Sequence, residues 1–313
     1  MSINEHQHTD GDGRSQVSLA ELIALRAKVA HARLPSLASR AMRSGGHSSR
    51  LYGRGMDYAE SRVYQAGDDV RRMDWRLTAR SGKLHTKLFE EDREGSLLIL
   101  LDTHASMRFG TRRRFKSVQA ARVAAVAAWY AVRAGERVGA MTFGRAEQLL
   151  RPQRGDRAAL AICGVLAQSP ASVTDMATSA LSQALQRGRR ALHGATRILL
   201  VSDGFSCDAA ARTHLLDLTA RTSVGIVLVR DALERGLPPA GRYPVEHAGQ
   251  RADIPLESER QREDFQRALG AGAQKLIDLA ASLRVRCVEV DTVVDPFDAV
   301  TAALGVRRPA TCR

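Results

Sequence analysis

Leu97 to Leu101 form an unbroken apolar run that ends in Asp102, after which small and polar side chains alternate through Thr103-His104-Ala105-Ser106. The run is too short for a typical helix and uniformly apolar, as expected of a strand buried on both faces. Arg197-Ile-Leu-Leu-Val-Ser-Asp203-Gly204 repeats the design, and Val138–Phe143, Val224–Val229 and Val285–Val290 add further strands. Helical spacing fills the intervals: Phe115 to Ala134 with Gly135 as its stop, Asp156–Ala167, Asp175–Leu192, Ala209–Ala220, Glu259–Leu283 and Asp298–Leu304. Strands alternating with helices predict an α/β fold, a doubly wound and mostly parallel sheet with helices on both faces.

Ahead of this core the pattern is less regular. Residues 1–15 read as a disordered tail. Leu19, Leu22, Ile23, Leu25 and Val29 have helical spacing behind Ser18 as N-cap, residues 44–58 read as loop, and Lys83–Phe89 alternates like a strand. A stretch with Pro238, Pro239 and Pro244 reads as loop. The expected organisation is a tail (1–15), an N-terminal arm of helix, loop and strands (16–95) and an α/β domain (96–313).

The chain has 313 residues and a formal net charge of +13, carried mostly by arginine. Such a charge favours acidic partners without choosing among nucleic acid, lipid and protein. Aromatic residues are only 4%, which weakens a reading built on stacked bases. Cys163, Cys207, Cys287 and Cys312 are scattered and form no Cys-x-x-Cys pair, which argues against a zinc ribbon or disulfide framework. With no apolar run of membrane-spanning length and no apolar signal core, a cytoplasmic protein without membrane insertion is expected. No Gly-x-x-x-x-Gly-Lys-Ser/Thr occurs, so ATP hydrolysis is not expected of this chain itself.

Asp102 and Asp203 stand where two buried strands leave the sheet, the edge at which open parallel sheets bind ligands. His104 and Ser106 follow Asp102 at alternate positions, and Thr174 precedes a helix start. Together they offer two carboxylates, two hydroxyls and an imidazole, a candidate divalent-metal site. The same residues have plain structural uses: the aspartates as helix caps, the hydroxyls bonding turn backbone.

The order Asp-x-His-x-Ser, Thr, Asp resembles the metal-ion-dependent adhesion site of von Willebrand factor A domains, except that His104 stands where that pattern has serine. Arg62-x-Tyr64, Gly67-Asp68-Asp69, Arg71, Asp74-Trp75 and Ala79-Arg80 resemble the signature of the domain of unknown function 58 family, over about Gly45 to Val306. The resemblance implies a von Willebrand factor A-like core. It also implies a non-enzymatic interaction role beside a MoxR-type AAA+ ATPase, acting on a client protein complex. It further implies a metal held by Asp102, His104, Ser106, Thr174 and Asp203, with a partner carboxylate completing the shell. Mg²⁺ or Mn²⁺ suits the hydroxyls and carboxylates, whereas an imidazole suits softer metals such as Zn, so the expected ion is divalent, with Mg²⁺ first, and the altered site holds Mg²⁺ without His104, a softer metal, or none.

The same residues admit two other functions. A phosphatase-like hydrolase would use Asp102 as nucleophile, but His104 occupies the place of the second aspartate that such sites need. A nucleic-acid binder would use the charge alone. Arg108, Arg112, Arg113, Arg114 and Lys116 cluster just after the candidate site; Arg112 to Arg114 read as a solvated charge run, the alternative being a docking face for an acidic partner. In the signature segment, Asp68, Asp69 and Asp74 lie among Arg62, Arg71, Arg72, Arg76 and Arg80. The expectation there is a structural clasp packing Trp75 and Tyr64 against the sheet edge.

Overall fold

The computed structural model of the chain describes residues 11–30, 56–91, 95–145, 147–168, 180–193, 195–247 and 250–305. In chain order the elements are α1 (Leu19–Ala30), β1 (Met56–Val63), α2 (Trp75–Ser81), β2 (His85–Glu91), β3 (Ser96–Asp102), α3 (Lys116–Arg133), β4 (Arg137–Phe143) and β5 (Gln148–Gln153). Then come α4 (Asp156–Ala167), α5 (Leu181–Arg187), α6 (Arg189–His193), β6 (Arg197–Ser202), α7 (Ala211–Thr219) and β7 (Ser223–Arg230). Last are β8 (Gly241–His247), β9 (Gln250–Leu256), α8 (Glu259–Ser282), β10 (Arg286–Asp291) and α9 (Phe297–Ala303). The chain divides into two compact units, residues 1–37 with 95–313 and residues 38–94.

The larger unit carries a six-stranded sheet in the order β10-β7-β6-β3-β4-β5. All neighbours are parallel except β4 and β5. This is the doubly wound, mostly parallel arrangement that the alternation of elements predicts. Central β3 is buried along its whole length. Its Leu97, Ile99 and Leu101 pack with α1, α3, α4 and α9, while Leu98 and Leu100 pack with α5, α7 and α8 on the other face. The period of two in a strand thus serves two cores at once.

Strand β3 leads through α3 to β4 on one side. Strand β6, on its other side, leads through α7 to β7 in the opposite direction. A crevice therefore opens beyond the C-terminal ends of β3 and β6.

Three boundaries differ from expectation. Helix α1 belongs to the larger unit and not to an arm of residues 16–95, because its apolar stripe of Leu22, Leu25 and Val29 is buried in the α3 core. Trp129 Nε1 donates to the Leu22 carbonyl at 3.0 Å, and Arg122 pairs with Glu21. Residues 11–15 form a turn: Asp12 Oδ1 accepts from the backbone amides of Arg14, Ser15 and Gln16, and the Arg14 carbonyl accepts from Phe115 N at 2.8 Å. The single helix expected over Asp175–Leu192 is, within the described residues, two short helices, α5 and α6.

Two elements went unpredicted in this unit. Strand β5 is a half-exposed edge strand containing Pro152, and β8–β9 is an antiparallel hairpin in the proline-rich stretch. Prolines are tolerated in such strands because an edge has a side that needs no N–H donor.

In the smaller unit β1 and β2 pair antiparallel, and the aspartates of the signature segment hold its connecting turns. Asp68 takes Arg62 Nη2 at 2.7 Å and Gln65 N at 2.9 Å. Asp69 accepts from Arg71 N at 3.0 Å, and Asp74 caps α2 through Leu77 N at 3.0 Å while accepting from Ser61 Oγ at 2.8 Å. Gly67 and Gly82 take left-handed backbone. The Tyr64 amide donates to the Leu84 carbonyl. Trp75, however, is 67% exposed as the first residue of α2, so the expected packing of its ring is not found.

Leu22→Ala is expected to cost about 2–5 kcal/mol, read by urea denaturation, because it opens a cavity in the α1–α3 contact. Backbone and side-chain hydrogen bonds hold the Asp74 carboxyl below its ordinary 3.8. Its contribution is therefore complete above that value and disappears as pH falls through the folded pKa. Protection of the Leu77 amide, its exchange rate relative to the intrinsic rate at the same pH, should fall in Asp74→Ala at neutral pH, and in the wild type only in acid.

Candidate metal and partner site at the strand edge

Asp102 ends β3 and is fully buried. Its Oδ2 accepts from Ser202 Oγ at 2.6 Å and Ser206 Oγ at 2.7 Å. Its Oδ1 accepts from His104 N at 3.0 Å and faces His104 Nδ1 at 2.6 Å. Burial alone would raise this carboxyl, but the His104 ring and the Ser202 hydroxyl outweigh it and hold the pKa below the ordinary value. The His104 ring also meets Phe143 edge-on, with centroids 5.9 Å apart. Gly144 supports this position twice over. Its φ is +106°, and a Cβ there would lie 2.7 Å from His104 Nδ1.

Ser106 sits in the 3-10 turn Ala105–Met107, and its Oγ is buried with no hydrogen-bond partner among the described residues. Thr174 lies outside the described residues.

Asp203 follows β6. Its Oδ1 accepts from Phe205 N at 3.1 Å, and its Oδ2 lies 2.9 Å from Lys116 Nζ. Lys116 is only 1% exposed, so it does not share a surface with the arginines it clusters with in sequence. Its ammonium also contacts Glu234 Oε1 at 2.6 Å, and the rings of Phe109 and Phe205 each lie 5.6 Å away. Desolvation would lower the lysine pKa, but the two carboxylates more than compensate and raise it. Glu234 closes a capping box by accepting from Asp231 N, and Asp231 in turn accepts from Thr111 and Thr292.

Of the arginines expected to dock a partner, Arg108, Arg112 and Arg113 are exposed. Arg114 is not a surface group: its Nη1 donates to Gln119 Oε1 at 3.1 Å, and burial pushes its pKa down, assisted by Arg122 and Arg113. Beside Asp102 and His104 lies a cavity of about 100 Å³, which Arg108, Thr142, Arg145 and Gln148 also line.

A carboxylate offers about four acceptor directions, and Asp102 uses them on four internal donors. A divalent ion at Asp102 would have to displace His104 or a serine hydroxyl, and one at Asp203 would have to displace the Lys116 ammonium. The two carboxylates as arranged therefore do not fit an ion held between them; among the expected ligands that lie within the described residues, Ser106 presents an unpaired oxygen. No group of three or more His, Cys, Asp or Glu side chains suited to a metal exists among the described residues. Burial and the charges of Asp102, Asp208 and Asp203 push the nearby Cys207 thiol up to about 12.

Ser202, Ser206, Glu234 and Asp231 were not singled out from sequence. The one available signal was Ser202 and Ser206 flanking Asp203-Gly204 four residues apart. Lys116 carried a signal too, as a lone charge heading an otherwise Ala- and Val-rich helix.

An uncharacterized protein of Mycobacterium tuberculosis, Rv1480, is 32% identical over 208 residues, which span 65% of this chain and 64% of that protein. An aerotolerance-related membrane protein from Bacteroides fragilis aligns over 67% of this chain and 96% of its own, at 14% identity and a TM-score of 0.44. BatB, a conserved hypothetical protein from Bacteroides thetaiotaomicron, aligns over 67% and 97%, at 16% identity and a TM-score of 0.42. Residues 60–275 match the family model described as "Protein of unknown function DUF58", a span that takes in both the aspartate-capped turns and the strand edge. The chain belongs to the DUF58 family.

Proposed function

We propose that this chain is a non-enzymatic protein-interaction module. It receives an acidic group of a partner at the crevice beyond β3 and β6, and it works with a MoxR-type AAA+ ATPase to assemble or activate another protein complex. The observation that carries the non-enzymatic part is the saturation of Asp102. A carboxylate already accepting two serine hydroxyls, a backbone amide and an imidazole has no lone pair left to attack a substrate. Arg108 and Arg145 on the adjoining cavity, within a chain of net charge +13, favour an acidic group there and would steer its approach.

A second reading places a divalent ion, Mg²⁺ or Mn²⁺ or a softer metal through His104, between Asp102, Ser106 and Thr174, where a partner carboxylate would complete its shell. The unpaired Ser106 Oγ supports that reading, and the four donors on Asp102 oppose it.

Association with the MoxR-type ATPase of the same organism is measurable by analytical size exclusion and interferometry. Replacing Arg108 and Arg145 together by Glu is expected to weaken it about tenfold or more while leaving the melting temperature near the wild-type value. An unchanged affinity would remove the crevice from the interface. Hydrolysis of p-nitrophenyl phosphate with Mg²⁺ present should stay at the buffer rate. Turnover that Asp102→Asn abolishes would restore the phosphatase reading.

A further inference from the structure

Lys116 is the least expected charge in the molecule. Its ammonium is buried at the ligand-binding edge of an α/β sheet, against a residue whose sequence position assigns it to a metal. It comes from the first turn of α3, the helix that follows β3. Asp203 comes from the loop after β6, and Glu234 from the 3-10 turn after β7. One nitrogen therefore ties together the exits of three neighbouring strands. The network continues through the Glu234 carboxylate to Asp231 N. Asp231 then reaches back to Thr111 in the β3–α3 connection and across to Thr292 after β10.

This is the geometry of a cation site with the cation supplied by the chain. The contacts of 2.9 and 2.6 Å are charge-assisted hydrogen bonds of ordinary length. Phe109 and Phe205 close further sides of the ammonium. Mg²⁺ usually keeps several waters, and phenyl rings offer it none. At the other end of the expected ligand set, the His104 imidazole rests on Asp102, held there by Phe143 and by the absence of a side chain at Gly144. Each of the two carboxylates assigned to a metal is thus engaged by a nitrogen of the protein itself.

We propose that Lys116 is the resident cation of this crevice, holding Asp203 and Glu234 as a divalent ion would, and that the wild-type chain takes no divalent ion there. The proposal concerns the chain alone and stands apart from the identity of any partner.

The test is calorimetric and thermal titration of the EDTA-treated full chain with Mg²⁺ and with Mn²⁺, beside Lys116→Ala and Lys116→Ala/Glu234→Gln. The wild type is expected to show no binding heat and the same melting temperature with and without either ion. Lys116→Ala leaves two carboxylates buried without a counter-charge, and in EDTA it should melt roughly ten degrees lower. An added ion should recover part of that loss, because a ligand that binds only the folded state stabilises it. The recovery should vanish once Glu234 is neutral. One equivalent of ion bound to the wild type and lost in Asp102→Ala would overturn the proposal. So would a Lys116→Ala protein that ignores both ions, whether it is as stable as the wild type or unfolded in their presence and absence alike. A failure of the ATPase to associate bears only on the interaction reading, since these titrations contain no partner.

Discussion

An ammonium shut away from water has to be matched by acceptors, and Lys116 is matched by two carboxylates from two different loops. That requirement organises the C-terminal edge of the sheet. Strand-end loops are normally the least constrained parts of an α/β fold. Here the loops after β6 and β7 are pulled onto the first turn of α3, and the connection after β3 is bonded to them through Thr111 and Asp231. Removing one member would leave the others as uncompensated buried charge, which is far costlier than never having buried the pair.

The larger unit was legible in the sequence wherever burial was uniform. Strands β3, β6 and β7 are packed on both faces along their centres, which are therefore apolar runs, and α3 is recognisable from its Ala- and Val-rich run and the glycine after it. Legibility failed where an element is only partly covered. Strand β5 shows solvent more of its residues than it buries, and the β8–β9 hairpin contains Pro244 and Pro255, residues that signal breaks when pairing partners are unknown. The site divides the same way. Asp102 and Asp203 were found because strand ends can be read from the chain. Their partners were not, because Ser202, Ser206 and Glu234 are distant in sequence and acquire meaning only when the strands are side by side. Lys116 was misread for a definite reason: its neighbours Arg112 and Arg113 are exposed, and sequence proximity made it look like one more member of their group.

The aspartates of the signature segment show a different economy. Asp68, Asp69 and Asp74 sit among arginines; Asp68 contacts Arg62 and the Gln65 amide, while Asp69 accepts from the Arg71 amide and Asp74 from the Leu77 amide and the Ser61 hydroxyl. A dense alternation of charge along a sequence thus becomes a set of local caps that fix a short 3-10 turn and a two-turn helix between β1 and β2. Hydrogen bonds to these carboxylates keep the Asp68 and Asp74 pKa values low. They serve as turn acceptors and not as acid–base groups at neutral pH.

One contact behind the crevice has a mechanical meaning. Gly204, in the loop that carries Asp203, has left-handed backbone, and a Cβ there would come within 2.0 Å of the Gly272 carbonyl in the middle of α8. A Cβ on Gly272 would in turn strike the Phe205 ring. At Gly204 the loop and the helix therefore meet backbone to backbone, with the Phe205 ring packed beside that contact. A displacement of α8 perpendicular to its axis is delivered undamped to the loop holding Asp203. A tug on that loop is felt just as directly along the outer face of the molecule, making α8 and the crevice two ends of one stiff lever.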